Sequence, residues 1–273
     1  MRKDMKTTAL VTTGHGINCE NETRRALELG GFDTVDLAHL NLITQGDIEL
    51  SRYQIIVFPG GFLDGDDLGA AQACANRIRN SRVNGERLID LMIRFVDSGG
   101  LVLGICNGFQ LLTKLGMLPA VNGDYRRRDF SLTGNDQGRF EDRWVHLVVD
   151  PNSPCVFTRG IQRLYLPVRH GEGKIVGRHP ELAAALLESH QAPVRYALAE
   201  SNEPTMLYPH NPNGSEYAIA GFCDPTGRVF GLMPHPECFL HRTNHPRWTR
   251  EDLPEEGEGL AIFKNAAQFL KTA

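Results

Sequence analysis

The sequence predicts an α/β fold: an open, mostly parallel twisted sheet with helices on both faces and additional antiparallel strands. Two observations predict it. Strand-like and helix-like stretches alternate through the first half, with several strand-like runs apolar along their whole length, as in a sheet covered on both faces. From about residue 140 the pattern changes to strands joined by short turns. No Ser/Gly-rich linker divides the 273 residues, so a single domain spanning 1–273 is expected, with an excursion at about 239–259.

Taken in order, TTALVTT (7–13) reads as a buried strand, and ENETRRALELGG has helical spacing with a glycine stop at Gly30. TVDLAHL (34–40) and YQIIVF (53–58) are rich in β-branched and aromatic residues and read as strands. The glycine-rich loop PGGFLDGDDLG leads to a helix around 68–79. GERLIDLMIRFVDSGG puts Leu88, Leu91, Met92, Phe95 and Val96 on one helical face and ends at Gly99 and Gly100. LVLGIC is a fully apolar strand, followed by the helix NGFQLLTKLG. In the second half RWVHLVVD, RLYLPVRH, VRYALA, YAIAGFC and RVFGLM read as strands, ELAAALLESH as a helix and LAIFKNAAQFLKT as an amphipathic helix packing back on the sheet. HRTNHPRWTREDLPEEGEG reads as an excursion without its own core.

Composition excludes several classes. The formal net charge of -4 argues against nucleic acid, whose affinity comes from neutralised phosphates. The cluster Arg126, Arg127, Arg128 sits between Asp124 and Asp129 and reads as a solvated loop. No apolar run is long enough to span a membrane, and the start is too threonine-rich for a signal peptide. Six scattered cysteines without a C-x-x-C pair fit a reducing cytoplasm.

The stretch GICNGFQ (104–110) carries the chemistry. Strand, sharp turn and helix with G-x-C-x-G at the turn is the thiol counterpart of a nucleophile elbow, which lifts Cys106 to an exposed position above the sheet edge. The helix start at Asn107 turns free N–H groups toward the sulfur, and the Asn107 amide is placed for a developing oxyanion. Gly60 and Gly61, closing the YQIIVF strand, offer a second amide at the carboxyl edge of the sheet, where ligands of open α/β sheets bind. A thiol nucleophile requires a base and an orienting partner. Two H-x-E pairs are available, His170 with Glu172 and His235 with Glu237. The second is the better, because Pro236 biases His235 toward extended backbone at a strand end, whereas His170 lies in the glycine-rich HGEGK. Cys238, His241 and His245 have a spacing a metal could use, but no second cluster completes a tetrahedral set, so no metal is expected.

With these parts in place the chain resembles the class I (triad) glutamine amidotransferases, and more narrowly the glutaminase subunits of phosphoribosylformylglycinamidine synthases. The matching stretches are NCENE at 18–22, FPGGF at 58–62, GDDLGAA at 65–71, GICNGFQLL at 104–112, RFE at 139–141, HGEG at 170–173 and NPNGSEYAIAGFCDPTGRVFGLMPHPE at 211–237. The resemblance implies that Cys106 attacks glutamine, His235 moves the proton, Glu237 holds the imidazole, Gly61 and Asn107 form the oxyanion hole, and Gln110 and Arg139 help hold the amino-acid end of glutamine. It also implies a separate synthetase subunit that carries ATP and Mg, often a small third subunit, and no cofactor in this chain. No G-x-x-x-x-G-K-[ST] motif is present, in agreement with ATP binding elsewhere. The chain departs from the resemblance at His15, where a proline-containing turn is more frequent, and at Phe109, where a small residue or cysteine is common.

Overall fold

The computed structural model describes residues 6–272. The chain runs through β1 (Thr8–Thr13), α1 (Glu20–Gly30), β2 (Thr34–His39), α2 (Leu40–Gln45), β3 (Ile55–Phe58), α3 (Gln72–Asn80), the hairpin β4 (Arg82–Val83) and β5 (Glu86–Arg87), α4 (Leu88–Asp97), β6 (Leu101–Ile105) and α5 (Asn107–Leu115). It continues through β7 (Phe130–Gly134), β8 (Glu141–Val149), β9 (Arg163–His170), β10 (Glu172–Gly177), α6 (Glu181–Glu188), β11 (Val194–Ala197), β12 (Ile219–Cys223), β13 (Val229–Leu232) and α7 (Leu260–Thr272).

One 9-stranded sheet forms the frame, in the order β2-β1-β3-β6-β13-β12-β11-β8-β9. The strands β2, β1, β3, β6 and β13 run parallel. Antiparallel pairing then carries the sheet on to β9, and only β12 and β8 run against the rest. The apolar runs land where both faces are covered: β3, β6 and β13 are buried at every residue. The chain passes from β1 to β2 on one side and crosses back to β3 on the other. The crevice at their carboxyl ends is therefore a topological switch point.

Helix α5 is buried along its entire length. Phe109, the unusual residue after the elbow glycine, is explained by its neighbours. It fills the space that Gly231 leaves by lacking a Cβ, and meets Phe222 edge to face with centroids 4.7 Å apart. His15 packs edge-on against His39, again at the carboxyl edge of the parallel strands.

Some elements depart from the sequence reading. The helix expected around 68–79 begins at Gln72, because Asp64, Asp66 and Ala71 adopt positive φ and keep the preceding loop irregular. The run expected as a strand over 34–40 ends at His39, whose side chain accepts from the Asn41 amide and starts α2. A second small sheet, β7 with β10, was not expected, and it begins at the HGEG turn. The 239–259 segment has only a short 3-10 helix at Arg242–Asn244 and an isolated bridge between His241 and Glu256, but it is not loose. Phe239 and His245 are buried against Trp144, and the Tyr165 amide donates to Glu258 at 2.6 Å.

Arg126 pairs with Asp90 and Arg127 with Asp129, so the arginine cluster is a surface ion-pair network. All six cysteines are free thiols. Among the described residues no helix is long and apolar enough to cross a membrane.

Candidate active site

Four strand ends converge at the carboxyl edge of the sheet: those of β3, β6, β9 and β13. Cys106 follows β6 with φ 49° and ψ -103°, a strained backbone for a residue with a Cβ. Its amide donates to the Leu232 carbonyl of β13 at 2.8 Å. Two glycines make the bend possible. A Cβ at Gly104 would press on the Gly108 carbonyl, and one at Gly108 would run into the Phe58 carbonyl of β3. The elbow is therefore locked between two neighbouring strands.

The thiol is not exposed as expected. Cys106 is 5% exposed, and its Sγ donates to the Arg169 carbonyl at 3.6 Å. The cover comes from β9, whose end lies across the bend.

His235 follows β13, extended at φ -104° before Pro236, with its amide bound to the Pro167 carbonyl at 2.8 Å. The next residues do not continue extended. Pro236–Cys238 form a short 3-10 turn, which swings Glu237 back under the ring. His235 Nδ1 lies 2.6 Å from Glu237 Oε1, with both side chains buried. That leaves Nε2, a buried atom without a hydrogen-bond partner, for the thiol side. Burial opposes charge on this ring, but the Glu237 carboxylate and the Cys106 sulfur outweigh it and hold the imidazolium well above the ordinary histidine range.

The other H-x-E pair does not assemble. His170 is buried and meets Asn135 Oδ1 through Nδ1 at 3.0 Å. Burial, and then the charge of His235, push its pKa down to about 3, so its ring is neutral at physiological pH. Glu172 turns away from it. One carboxylate oxygen accepts from the Ala70 amide at 3.1 Å, and its carbonyl accepts from Gln110.

The side where the sequence places the oxyanion donors is built from the loop after β3 and the start of α5. The Gly60 carbonyl accepts from the amides of Asn18 and Cys19, both at 3.3 Å, which fixes the Pro59–Gly60–Gly61 turn against the β1 loop. His235 Cε1 comes so close to Gly60 that a Cβ there would clash with the ring. Asn107 Oδ1 accepts from the Leu63 amide at 2.9 Å and ties this loop to the elbow. The Asn107 amide, first in its helix, has no intrahelical acceptor.

Of the two residues expected to hold the amino-acid end of glutamine, one is buried and the other lies at the rim. Gln110 is buried and spent on scaffolding: its Oε1 accepts from Asn107 Nδ2 at 2.8 Å and its Nε2 donates to the Glu172 carbonyl. Arg139 is exposed on the rim, paired with Glu141 at 3.0 Å and donating to the Tyr208 hydroxyl at 2.7 Å. Glu141 stands opposite His170 in the β8–β9 ladder, which keeps Arg139 at the mouth of the site.

Residues 6–270 match the CobB/CobQ-like glutamine amidotransferase domain. The chain belongs to that family. It is 46% identical over 97% of its length to the phosphoribosylformylglycinamidine synthase subunit PurQ of Dehalococcoides mccartyi, covering 98% of that protein. It is 43% identical to the protein of that name from Methanococcus maripaludis, with 95% of this chain and 97% of that one covered. A structure of PurLQS from Thermotoga maritima contains a chain that superposes with a TM-score of 0.69 at 27% identity, covering 97% of this chain and all of that one. Within this amidotransferase frame, the elbow follows β6 and the histidine–glutamate pair follows the neighbouring β13.

Cys19 was missed. It is buried beside His235, and its thiol donates to Asn18 Oδ1 at 3.3 Å. The NCENE stretch was its signal, but nothing local says that Cys19 meets a residue from the far end of the chain. Of the metal-spaced group, His241 pairs with Glu255, while His245 packs among Trp144, Tyr165 and Phe239.

Proposed function

We propose that this chain is the glutaminase subunit of a phosphoribosylformylglycinamidine synthase, an amidotransferase of purine biosynthesis. The buried Nδ1–Oε1 contact of 2.6 Å between His235 and Glu237, beside a cysteine on a strained elbow, carries the reading. The full-length likeness to PurQ subunits supports the acceptor pathway.

In this reading the proton of Cys106 resides on His235, and Cys106 Sγ attacks the carboxamide carbon of glutamine. Glu237 fixes the ring through Nδ1, so that Nε2 faces the sulfur. The tetrahedral oxygen takes hydrogen bonds from the Gly61 and Asn107 amides, each worth on the order of 10²–10³ in rate for such a donor. His235 returns the proton to the departing nitrogen and ammonia leaves. Water, deprotonated by the same ring, then cleaves the thioester to glutamate. Arg139 on the rim meets the substrate carboxylate. The chain itself uses no cofactor, whereas ATP and Mg belong to the synthetase subunit that receives the ammonia, and a small third subunit joins them.

Purified chain is mixed with the synthetase and the third subunit of its own organism and supplied with formylglycinamide ribonucleotide, ATP and Mg. Glutamine-dependent amination should require this chain, while ammonia-dependent amination should proceed without it. Amination from glutamine in its absence, or none when it is added to a synthetase active with ammonia, would refute the reading.

A further inference from the structure

The reaction leaves Cys19 without a task. Its sulfur, a ring nitrogen of His235 and a carboxylate oxygen of Glu237 all lie within 4.8 Å of one another. Among the described residues this is the one group of histidine, cysteine and acidic side chains so arranged. Glu237 Oε2 is buried there without a hydrogen-bond partner, and the ring nitrogen on this side is Nδ1, since a Cβ at Gly60 would meet His235 Cε1, Cys19 Sγ and His235 Nδ1 together. Behind Glu237 opens a cavity of about 630 Å³, lined also by Glu22, Arg25, His241, Glu255 and Glu256, with Glu255 paired to His241 and Arg242 and Glu256 to Lys264.

The geometry points to a soft divalent cation site at Cys19, His235 and Glu237, of the kind zinc fills, entered from this cavity and switching the glutaminase off when occupied. Sulfur, imidazole nitrogen and carboxylate oxygen form a donor set that suits zinc, and three protein ligands leave the fourth position to water. Metal–ligand distances of roughly 2.0–2.3 Å place tetrahedral donors about 3.3–3.5 Å apart. The His235–Glu237 hydrogen bond at 2.6 Å would open by less than ~1 Å to admit the ion. On binding, the thiol proton of Cys19 and one imidazole proton leave to solvent. An imidazole held by metal cannot shuttle the Cys106 proton, so the consequence is inhibition from the side away from substrate. That consequence rests on the proposed function, but the binding does not.

Cobalt(II) titrated into Cys106→Ala protein tests the site without any turnover, through its thiolate-to-cobalt absorption. One equivalent should bind with that band. The band should vanish in Cys106→Ala/Cys19→Ser, and affinity should fall at least about tenfold in Cys106→Ala/Glu237→Gln. No band in Cys106→Ala, or the same band after Cys19→Ser, overturns the inference. If the Cys19→Ser protein does not fold, the Glu237→Gln arm decides: unchanged affinity there overturns it as well. In the complete complex, zinc should inhibit Cys19→Ser at least about tenfold more weakly than the parent, and equal inhibition overturns the switch. Cobalt binding as described, together with a parent chain that shows no glutaminase activity in the complete complex, would instead refute the function.

Discussion

Glu237→Gln isolates the electrostatic part of the proposed mechanism while conserving shape. Its carboxylate is buried, 2.6 Å from His235 Nδ1, and it is the largest influence holding the imidazolium up against burial. Glutamine keeps a carbonyl oxygen in the same place to accept the Nδ1 proton, so what is lost is the charge beside the imidazolium: about 3 kcal/mol of transition-state stabilisation, or roughly a hundredfold in kcat. The assay is steady-state glutaminase turnover in the complete complex, with ammonia-dependent amination as the check on assembly. KM for glutamine should move little, because Glu237 lies behind the histidine and away from substrate. The same change has a pH signature. A histidine whose folded pKa is raised stabilises the fold fully below the ordinary histidine value, and loses that contribution as pH rises through the raised value. The parent should therefore exceed Glu237→Gln in melting temperature most at mildly acidic pH, with the gap narrowing at alkaline pH. A variant whose kcat stays within about threefold of the parent, a loss below roughly 1 kcal/mol, would refute the orienting role.

A glutamine analogue with a reactive leaving group should label Cys106 alone among the six thiols; an adduct mapped by mass spectrometry to Cys19 would exchange the two sulfurs near His235. His170→Gln should leave glutaminase activity largely intact. It should also flatten the acid limb of stability, because a buried histidine pushed down to about 3 costs the parent about 1.4 kcal/mol per pH unit as pH falls below the ordinary histidine value. An unchanged acid unfolding midpoint would contradict its burial as a neutral ring. Gly108→Ala forces a methyl group into the Phe58 carbonyl and should destabilise by about 1–3 kcal/mol or more in denaturant titration. Wild-type stability with full activity would mean that the elbow has more room than described.

The parallel half was legible because β3 and β6 are apolar at nearly every residue and have glycines at or just beyond their carboxyl ends, signals local to each element. The small sheet was not, because β7 and β10 pair only with each other across a long stretch of chain, and more than half of their positions are not buried. The elbow was readable from GICNG. The burial of its thiol was not, since the covering carbonyl belongs to Arg169 in a distant strand. The choice between the two H-x-E pairs leaned on Pro236, and the structure agrees for a further reason: Asn135 and Ala70 engage His170 and Glu172 separately. No local pattern announces such partners. Gln110 shows the same limit, because a side chain one turn into the elbow helix can serve substrate or scaffold, and only the nearby Glu172 carbonyl decides.

What keeps Cys106 in its strained backbone follows from the packing around it. A residue so far from the favoured regions costs on the order of 1–3 kcal/mol, and would relax if the chain on either side could turn. It cannot turn on the strand side, where β6 is hydrogen-bonded in register to β3 and β13. On the helix side, the Gln110 amide closes the first turn on the Cys106 carbonyl at 3.0 Å, and α5 has no exposed face along which it could rotate. Relaxing one pair of dihedral angles would mean lifting a wholly buried helix off Gly231 and Phe222, at a cost of several kcal/mol in lost apolar contact. The strain is thus smaller than the packing that enforces it. The same packing holds Cys106 at the end of β6 and His235 at the end of neighbouring β13, on strands whose spacing cannot change.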